Sequence, residues 1–432
     1  LEENTMINVT AKDVERLRSL ARQVKEIAEL PIQQDNKRLW QRVNDLDMER
    51  PVVYTRDYPL HIMHYGDELV TQIEDPFLRS LEQDLLMRIY EWNHLRCDRV
   101  IEPEIKCQCA IYDSGWGEEL SPYKGMQGSG WKDGKDYEAK HFDKRLIEDM
   151  DDIEKIKVPT VEHDEAETER RYELMQEIFG GILRVRKFGK NYFRVVPWDD
   201  ILTWIGLDDF FMSFYTEPEF MHALVKRYME CSIEWAKKYE RLGLLSSNNN
   251  YDNILNNDPG YTTQLPEPPE EGIGCKLKDI WGATSDQILT SVSPDMTQEF
   301  AYDYEKPYSE LFGLFGLGCC EKLDQKVKNF TSTFSNLRKV SSSPFTKLEP
   351  MLEQLGHDYT VCFKPNNMLI VGEDWEEAKR LLTDELKNAL ALCRKYNNNM
   401  VINMKSIITL NGEPQRLWWW CDMASKVVAS EW

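Results

Sequence analysis

The sequence lacks three features, and each absence excludes a class of protein. No apolar run is long enough to cross a membrane, and no signal peptide is present. Positive charge is scarce, because 53 Lys and Arg stand against 75 Asp and Glu, which gives a formal charge of -22. That charge opposes binding to nucleic acid and to anionic membrane surfaces. No glycine-rich phosphate-binding fingerprint follows a predicted strand and opens a helix, which excludes that kind of nucleotide site.

Cysteines are present but do not form a recognisable framework. The ten cysteines are spread along the chain, unlike the dense pattern of a small secreted domain. We therefore expect reduced thiols and a cytoplasmic location. Cys107 and Cys109 have the period-two spacing of one strand face, but no second pair at metal-ligand spacing accompanies them. This spacing favours two ordinary buried cysteines.

The order of predicted elements indicates an α/β protein. From residue 50 onward, strand-like and helix-like segments alternate through about eight units without a linker, which is typical of a parallel sheet. A closed (β/α)8 TIM barrel over residues 50–432 fits this continuous run better than an open sheet. Residues 1–49 are predicted to form an N-terminal helical extension. Residues 114–140, rich in Gly, Lys and aromatics, are predicted to be a long loop insertion over the pocket mouth.

One stretch organises the functional prediction. Residues 311–317 contain no charge and have the length of an interior strand, and the strand ends abruptly at Cys319, Cys320 and Glu321. In a barrel of parallel strands the reactive groups lie at the carboxyl ends of the strands. We therefore expect the two thiols and the carboxylate to face the pocket.

Two lysines follow later predicted strands and should reach the same rim. Lys364 and Lys405 each come directly after a strand-like segment. They either hold an anionic group of the substrate or pair with Glu321, and the alternative is that they are ordinary salt-bridge residues. We predict Glu321, Lys364 and Lys405 as the catalytic residues.

Several motifs, taken in order, resemble the uroporphyrinogen decarboxylase-like superfamily, in particular its branch of corrinoid-dependent methyltransferases. The similarity covers most of the chain from Trp40 onward. The motifs are Trp40 with Asn44-Asp-Leu and Arg50-Pro51, Trp281-Gly282, Val292-Ser-Pro-x-Met296-x-x-Glu-Phe300, Gly318-Cys-Cys-Glu321, Asn336-Leu-Arg338, Lys364-Pro365 and Trp420-x-x-x-Ala424.

The resemblance implies a barrel with a deep pocket at its C-terminal face and a methyl group that passes to or from cobalamin on a separate corrinoid protein. In methyltransferase members a zinc ion is bound by His-x-Cys at one strand end and by a later Cys. Here Cys320 falls at the Cys of that motif, Gly318 stands at the His position and Asn403 stands near the later Cys. Cys319 and Cys320 are therefore candidate metal ligands, while an arrangement without metal, with one thiol facing the core and the other the pocket, stays open.

The resulting hypothesis is an enzyme of anaerobic metabolism that moves a methyl group between a small O-, N- or S-methyl compound and a corrinoid protein. Glu321 is the candidate acid, and His141 and Glu102 are alternatives. The alternative function is a decarboxylase or lyase acting on a small polycarboxylate or porphyrinogen-like acid, and a ligand-binding barrel without a metal is a third. A homodimer stays open. The predicted substrate-binding residues are Arg56, Glu102, Asn249, Trp281, Gln287 and Asn366.

Overall fold

The computed structural model describes residues 7, 9–120, 126–132, 135–142, 145–207, 210–255 and 258–432. No helix in these ranges is both long and apolar enough to span a bilayer. The strands are Val52–Thr55 (β1), Glu104–Gln108 (β2), Ala110–Asp113 (β3), Met126–Lys132 (β4), Lys135–Phe142 (β5), Val161–Asp164 (β6), Arg184–Phe188 (β7), Phe193–Val195 (β8), Trp281–Thr284 (β9), Leu314–Leu317 (β10), Leu337–Ser342 (β11), Thr360–Phe363 (β12) and Asn399–Met404 (β13).

The helices alternate with these strands along most of the chain. They are Ala11–Ala28 (α1), Pro31–Asn44 (α2), Pro76–His94 (α3), Glu165–Phe179 (α4), Pro197–Ile205 (α5), Phe210–Thr216 (α6), Pro218–Arg241 (α7), Pro294–Thr297 (α8), Asp303–Ser309 (α9), Val327–Thr333 (α10), Leu348–Leu355 (α11), Trp375–Tyr396 (α12) and Gln415–Glu431 (α13).

The main sheet has seven parallel strands in the order β1-β13-β12-β11-β10-β9-β8. The predicted α/β class is therefore confirmed. A separate parallel pair joins β2 to β7, and residues 189–192 lead from β7 directly into β8. Within the described ranges no ladder of hydrogen bonds joins β1 to β2. The sheet is thus not closed by hydrogen bonds, and the closed (β/α)8 barrel stays a prediction.

Both faces of the main sheet are covered, as parallel sheets require. On the outer face, Phe315 packs against Phe312 and Phe334, with ring centroids 6.3 and 5.5 Å apart. On the inner face, Trp281 and Ala283 of β9 pack against Ile254 and Leu255, which precede it in the chain. The inner surface of this sheet is therefore filled by the protein's own main chain as well as by side chains.

The filling segment, which comprises residues 246–255 and 258–265, is fixed by hydrogen bonds to its surroundings. Asn248 Nδ2 donates to the carbonyl of Trp281 at 3.0 Å, and Trp281 Nε1 donates to the carbonyl of Gly260 at 2.9 Å. A Cβ atom on Gly260 would lie 2.0 Å from the Asn248 carbonyl oxygen, so only glycine fits this close approach. The segment leaves the carboxyl ends of the strands as the place where polar groups can gather.

The two predicted N-terminal helices are present as α1 and α2. The Thr10 hydroxyl caps α1 by accepting from the amide of Asp13 at 3.1 Å. Trp40 of α2 is fully buried with Val52 and Val401 of the sheet's inner face, and its Nε1 donates to the carbonyl of Asp98 at 2.8 Å. The division of the chain at residue 49 stays a prediction, although α2 closes one end of the inner core.

The predicted loop over residues 114–140 is wrong in part. Strands β4 and β5 form an antiparallel hairpin, with Gln127 opposite His141 and Lys132 opposite Lys135. The sequence did carry a signal for this hairpin, because Asp133-Gly134 is a preferred turn dipeptide between two strands. Residues 121–125 and 133–134 lie outside the described residues.

A fully buried ion pair ties the filling segment to the sheet. Lys339 of β11 donates to Asp258 at 2.7 Å, and both side chains have no exposed surface. The Lys339 ammonium also lies 5.7 Å from the Trp40 ring centroid and 5.8 Å from that of Trp281. Removing one partner would leave the other charge buried without its counter-ion, which is among the costliest single changes in a core.

We predict that Lys339→Met lowers the free energy of unfolding by about 3–5 kcal/mol, measured by urea denaturation. The matched control is Lys395→Met, which breaks the exposed ion pair with Glu349 at 2.8 Å and should leave the free energy of unfolding nearly unchanged, because water screens exposed pairs. Equal losses in the two variants would contradict the structural importance assigned to the buried pair.

Candidate functional site

A sharp turn after β10 presents the two thiols. Gly318 has a φ of +94°, and a Cβ atom there would lie 2.6 Å from Leu323 Cδ1 and 3.2 Å from Ser341 Cβ. Glycine is therefore required both by the backbone conformation and by space. The turn places Cys319 and Cys320 at the carboxyl end of the strand, where Cys319 is only 5% exposed and Cys320 is exposed.

Glu321 fixes this turn to the loop that follows β9. Its Oε2 accepts from the amide of Cys319 at 2.7 Å, and its Oε1 accepts from the amide of Asp286 at 3.2 Å. These two hydrogen bonds hold the Glu321 carboxylate against the main chain of two loops. These contacts favour a positioning role for Glu321 over the acid role expected from the sequence.

Both predicted lysines reach Cys319. Lys405, which directly follows β13, has its Nζ 3.5 Å from Cys319 Sγ. Lys364, which directly follows β12, donates to the carbonyl oxygen of Cys319, and the Ser341 hydroxyl donates to the same oxygen at 2.7 Å. The structure therefore brings Cys319, Glu321, Lys364 and Lys405 into one buried cluster at the carboxyl ends of the strands.

This cluster favours the thiolate form of Cys319. The pKa of Cys319 lies well below its ordinary value because the Cys320 thiol, 3.5 Å away, hydrogen-bonds to it. The charges of Lys364, Lys405 and Arg194 lower the pKa further and outweigh burial, which acts in the opposite direction. The pKa of Cys320 is raised by the same hydrogen bond and by burial. At neutral pH the pair therefore carries one proton, which stays on Cys320.

Arg194 is a further cation of this cluster, and the sequence interpretation did not include it. It lies on β8, its Nη2 donates to the Ser285 hydroxyl at 2.9 Å, and its buried Nε has no hydrogen-bond partner in the described part of the chain. The charges of Tyr192, Cys319 and Glu321 raise its pKa against the effect of burial. The available signal was the short segment Phe193–Val195, which is strand-like and ends just before the helix at Pro197.

Carboxyl groups that hold protons lie beside the cluster. Burial, followed by the charge of Glu321, raises the pKa of Asp199 to about 7. Asp286 and Glu305 are buried together, and no N–H donor in the described ranges reaches any of their four carboxyl oxygens. Burial, followed by the charge of Glu305, raises the pKa of Asp286 well above its ordinary value. Burial raises the pKa of Glu305 to about 7.

The donor set does not fit the predicted zinc ion. A zinc site needs at least three protein ligands, and no group of three His, Cys, Asp or Glu side chains in the described ranges is arranged to hold a metal ion. Glu321 already accepts from two amides, and Gly318 and Asn403 replace the expected His and Cys. Positive side chains surround Cys319 where a metal cation would have to bind. The donors in the described ranges therefore do not match a zinc site, and the role of Cys319 and Cys320 as metal ligands stays a prediction.

Arg56 and Glu102 line a different cavity. This cavity has a volume of about 320 Å³, and the three predicted cluster residues Cys319, Lys364 and Lys405 are not part of its wall. Arg56 Nη1 donates to the carbonyl of Tyr251 at 2.9 Å. Glu102 accepts from the Tyr261 hydroxyl at 2.8 Å, and burial followed by the charge of Glu104 raises its pKa to about 7.

Three other predicted substrate-binding residues support the fold in this structure. Asn249 donates to the carbonyls of Leu265 and Pro266, each at 3.1 Å, and accepts from the amide of Thr262. Asn366 caps a short turn by accepting from the amide of Met368 at 3.1 Å. The side chain of Trp281 is buried in the inner core. Their polar or aromatic character is thus used to hold loops and to fill the sheet's inner face.

Gln287 and the alternative acid His141 complete the predicted set. The amide of Gln287 donates to Asp199 Oδ2 at 3.1 Å, which places this half-buried residue next to the cluster. His141 lies on β5, opposite Gln127.

Comparisons with known proteins give little information about identity. No family model matches the chain, and no curated protein matches it. Among solved structures, a methyltransferase from Methanosarcina mazei is similar with a TM-score of 0.34 and 11% sequence identity. The match covers 59% of this chain and 62% of that chain, less than two thirds of its length. A likeness of this size shows neither family nor activity.

We predict that Cys319 reacts with iodoacetamide at nearly the same rate at about pH 5.5 and about pH 8.5, because the Cys320 hydrogen bond and the nearby cations lower its pKa. An ordinary thiol slows by about 500-fold over this interval. The measurement is mass spectrometry of the Cys319 peptide during alkylation of the reduced protein.

Lys405→Met should raise the pKa of Cys319 and so slow its alkylation at the lower pH more than at the higher. Lys395→Met, which alters only an exposed pair, is the control. If Cys319 in the unaltered protein slows like an ordinary thiol, the assigned electrostatics are wrong.

We further predict that the protein loses stability as the pH rises from about 5 to about 8, and that this loss is smaller in the variant Glu305→Gln than in the parent. Because the pKa of Glu305 is raised in the folded state, its protonated form is favoured on folding. That contribution is complete below the unfolded pKa of about 4.3 and disappears as the pH rises through about 7. Thermal unfolding midpoints at about pH 5 and about pH 8 should therefore differ less in the variant than in the parent.

The exposed carboxylate Glu373 supplies the control variant Glu373→Gln, whose pH dependence should match the parent. An unchanged pH dependence in Glu305→Gln would show that the proton is not held by this pair.

Proposed function

We propose that this chain is a methyltransferase of a corrinoid-dependent system, which moves a methyl group between a small methylated substrate and cobalamin on a partner corrinoid protein. The single observation that supports it best is the buried Cys319 thiol, whose Sγ lies 3.5 Å from Lys405 Nζ at the carboxyl ends of parallel strands. The motifs shared with corrinoid-dependent methyltransferases supply the reaction class. We also propose that the sheet belongs to a closed (β/α)8 barrel, for which the parallel β2–β7 pair is the support.

Each group of the cluster has a task in such a reaction. A methyl donor of the form CH3–X releases X with the bonding electrons, so cations near X and a proton source lower the barrier. Lys364, Lys405 and Arg194 supply the positive charge. Asp199, whose pKa is raised to about 7, can deliver a proton at neutral pH, which makes it a better acid candidate than Glu321.

The corrinoid is a co-substrate carried by another protein in this proposal. It supplies a cobalt centre that accepts or donates the methyl group. The net charge of -22 suits a carrier with a basic surface patch, because complementary charges speed association. A homodimer and a cytoplasmic location are consistent with this role and are proposed with it.

A carboxy-lyase is the second candidate, and the same three cations are the observation that favours it. Lysine and arginine side chains bind carboxylates, and Asp199 could protonate the carbanion that remains after carbon dioxide leaves. Its substrate would be a small polycarboxylate or a porphyrinogen-like acid. Carbon dioxide release without any cobalamin distinguishes this activity from methyl transfer.

The test uses purified protein, chemically reduced cob(I)alamin and one methyl donor of each class: a methoxylated aromatic, a methylamine and a dialkyl sulfide. We expect one class to give protein-dependent methylcobalamin, followed by its visible spectrum. Lys405→Met should lower the rate by about 100-fold because it removes a preorganised charge.

Lys395→Met is again the control and should leave the rate unchanged. The proposal fails if no donor class forms methylcobalamin and the protein instead releases carbon dioxide from a polycarboxylate.

A further inference from the structure

We propose that Cys319 is a catalytic nucleophile that carries the transferred methyl group as S-methylcysteine, so that the group moves in two steps. This inference rests on the proposed function and names a covalent intermediate within it. It replaces the predicted metal-ligand role of Cys319 with a direct role in bond formation.

The main chain of Cys319 is held at both of its polar atoms by side chains. Its amide donates to Glu321 at 2.7 Å, and its carbonyl oxygen accepts from Ser341 at 2.7 Å and from Lys364. The sulfur atom cannot then drift with the loop. Such fixation is the arrangement expected around a reacting atom, because a preorganised nucleophile avoids the entropic cost of alignment.

The contacts of the sulfur itself select Cys319 rather than Cys320. Lys405 Nζ lies 3.5 Å from Cys319 Sγ, and the Cys320 Sγ atom also lies 3.5 Å from Cys319 Sγ. Burial of Cys319 removes the water that would otherwise screen these charges. Cys320 is exposed and has no cation within hydrogen-bonding distance in the described ranges, so it is the proton-bearing neighbour.

A methyl carrier must both accept the group and release it. A thiolate stabilised by cations is a weaker nucleophile than a free thiolate but a better leaving group, since nucleophilicity and leaving ability change in opposite directions with the thiol pKa. Stabilisation of the thiolate therefore suits an intermediate whose C–S bond must break again.

The two steps balance as follows. In the first, the Cys319 thiolate attacks the methyl carbon of CH3–X, the S–C bond forms, the C–X bond breaks, and X leaves with the electron pair and takes a proton from Asp199. In the second, the nucleophile cob(I)alamin of the partner protein takes the methyl carbon, and the C–S electron pair returns to sulfur. No net oxidation of Cys319 occurs, the thiolate is restored, and Asp199 takes up a proton from solvent to complete the cycle.

The test runs the second step in reverse with a defined reagent. Reduced protein is incubated under anaerobic conditions with methylcob(III)alamin that carries a deuterated methyl group, then digested and analysed by mass spectrometry. We expect the labelled methyl group on Cys319 and an equal amount of cob(I)alamin. Addition of unlabelled cob(I)alamin should remove the label from the protein.

Matched variants separate the roles of the two thiols. Cys319→Ala should abolish labelling, whereas Cys320→Ala should keep the label on Cys319 and change only the pH at which it forms. Lys405→Met should slow label formation at about pH 5.5 more than at about pH 8.5, because it raises the pKa of the thiol. Thermal unfolding of each variant checks that the fold is intact.

The outcomes distinguish the two proposals. A label on Cys320, or no label on Cys319 while the protein still forms methylcobalamin from a donor, overturns the covalent intermediate and leaves the methyltransferase assignment standing. Retention of full methyl transfer by Cys319→Ala also overturns it. If no donor yields methylcobalamin in the parent protein, the proposed function itself fails, whatever the reactivity of Cys319.

Discussion

Charge balance at the carboxyl end of the sheet is the constraint on which the candidate site depends. Arg194, Lys364 and Lys405 come from different strands and repel one another in a region where little water screens them. They can be gathered there only if negative charge lies among them. Glu321 supplies one such charge and ionised Cys319 supplies another. The stabilisation is therefore mutual. The cations lower the pKa of Cys319, and the negative charge of the thiolate reduces the repulsion among the cations.

The way in which the sheet is filled explains why this charge gathers at one end. Residues 246–255 and 258–265 lie along the inner face, where Leu255 and Trp281 form an apolar contact and the pair Lys339–Asp258 is fully buried. Polar groups in the middle of the sheet's inner face are thus paired with groups of the filling segment. At the strand ends beyond it, side chains such as Lys364 have no such partner segment and converge on the turn after β10.

The sequence predicted where this site lies in the fold better than it predicted which residues form it. Carboxyl ends of parallel strands meet at one edge, so residues that follow strands, such as Cys319 and Lys405, could be placed together from the strand pattern alone. Arg194 was missed because β8 has only three residues and too little alternation to mark it as a strand. Asn249 was taken for a binding residue because an amide-rich loop looks the same in sequence whether it contacts a ligand or its own backbone. Contacts across long sequence separations decide that difference, and composition does not encode them.

The missing histidine of the zinc motif has a physical explanation in the turn itself. At Gly318 the backbone is left-handed, and any side chain would collide with Leu323 and crowd Ser341. A histidine there would need another turn, and another turn would move Cys319 away from Lys405. One effect of zinc on a thiol is to stabilise its anion, and the neighbouring Cys320 thiol together with nearby cations lowers the pKa of Cys319 in the same direction without coordination geometry. The glycine and the cations are therefore linked. The turn at Gly318 leaves no space for a histidine side chain, and it places the Cys319 sulfur beside Lys405.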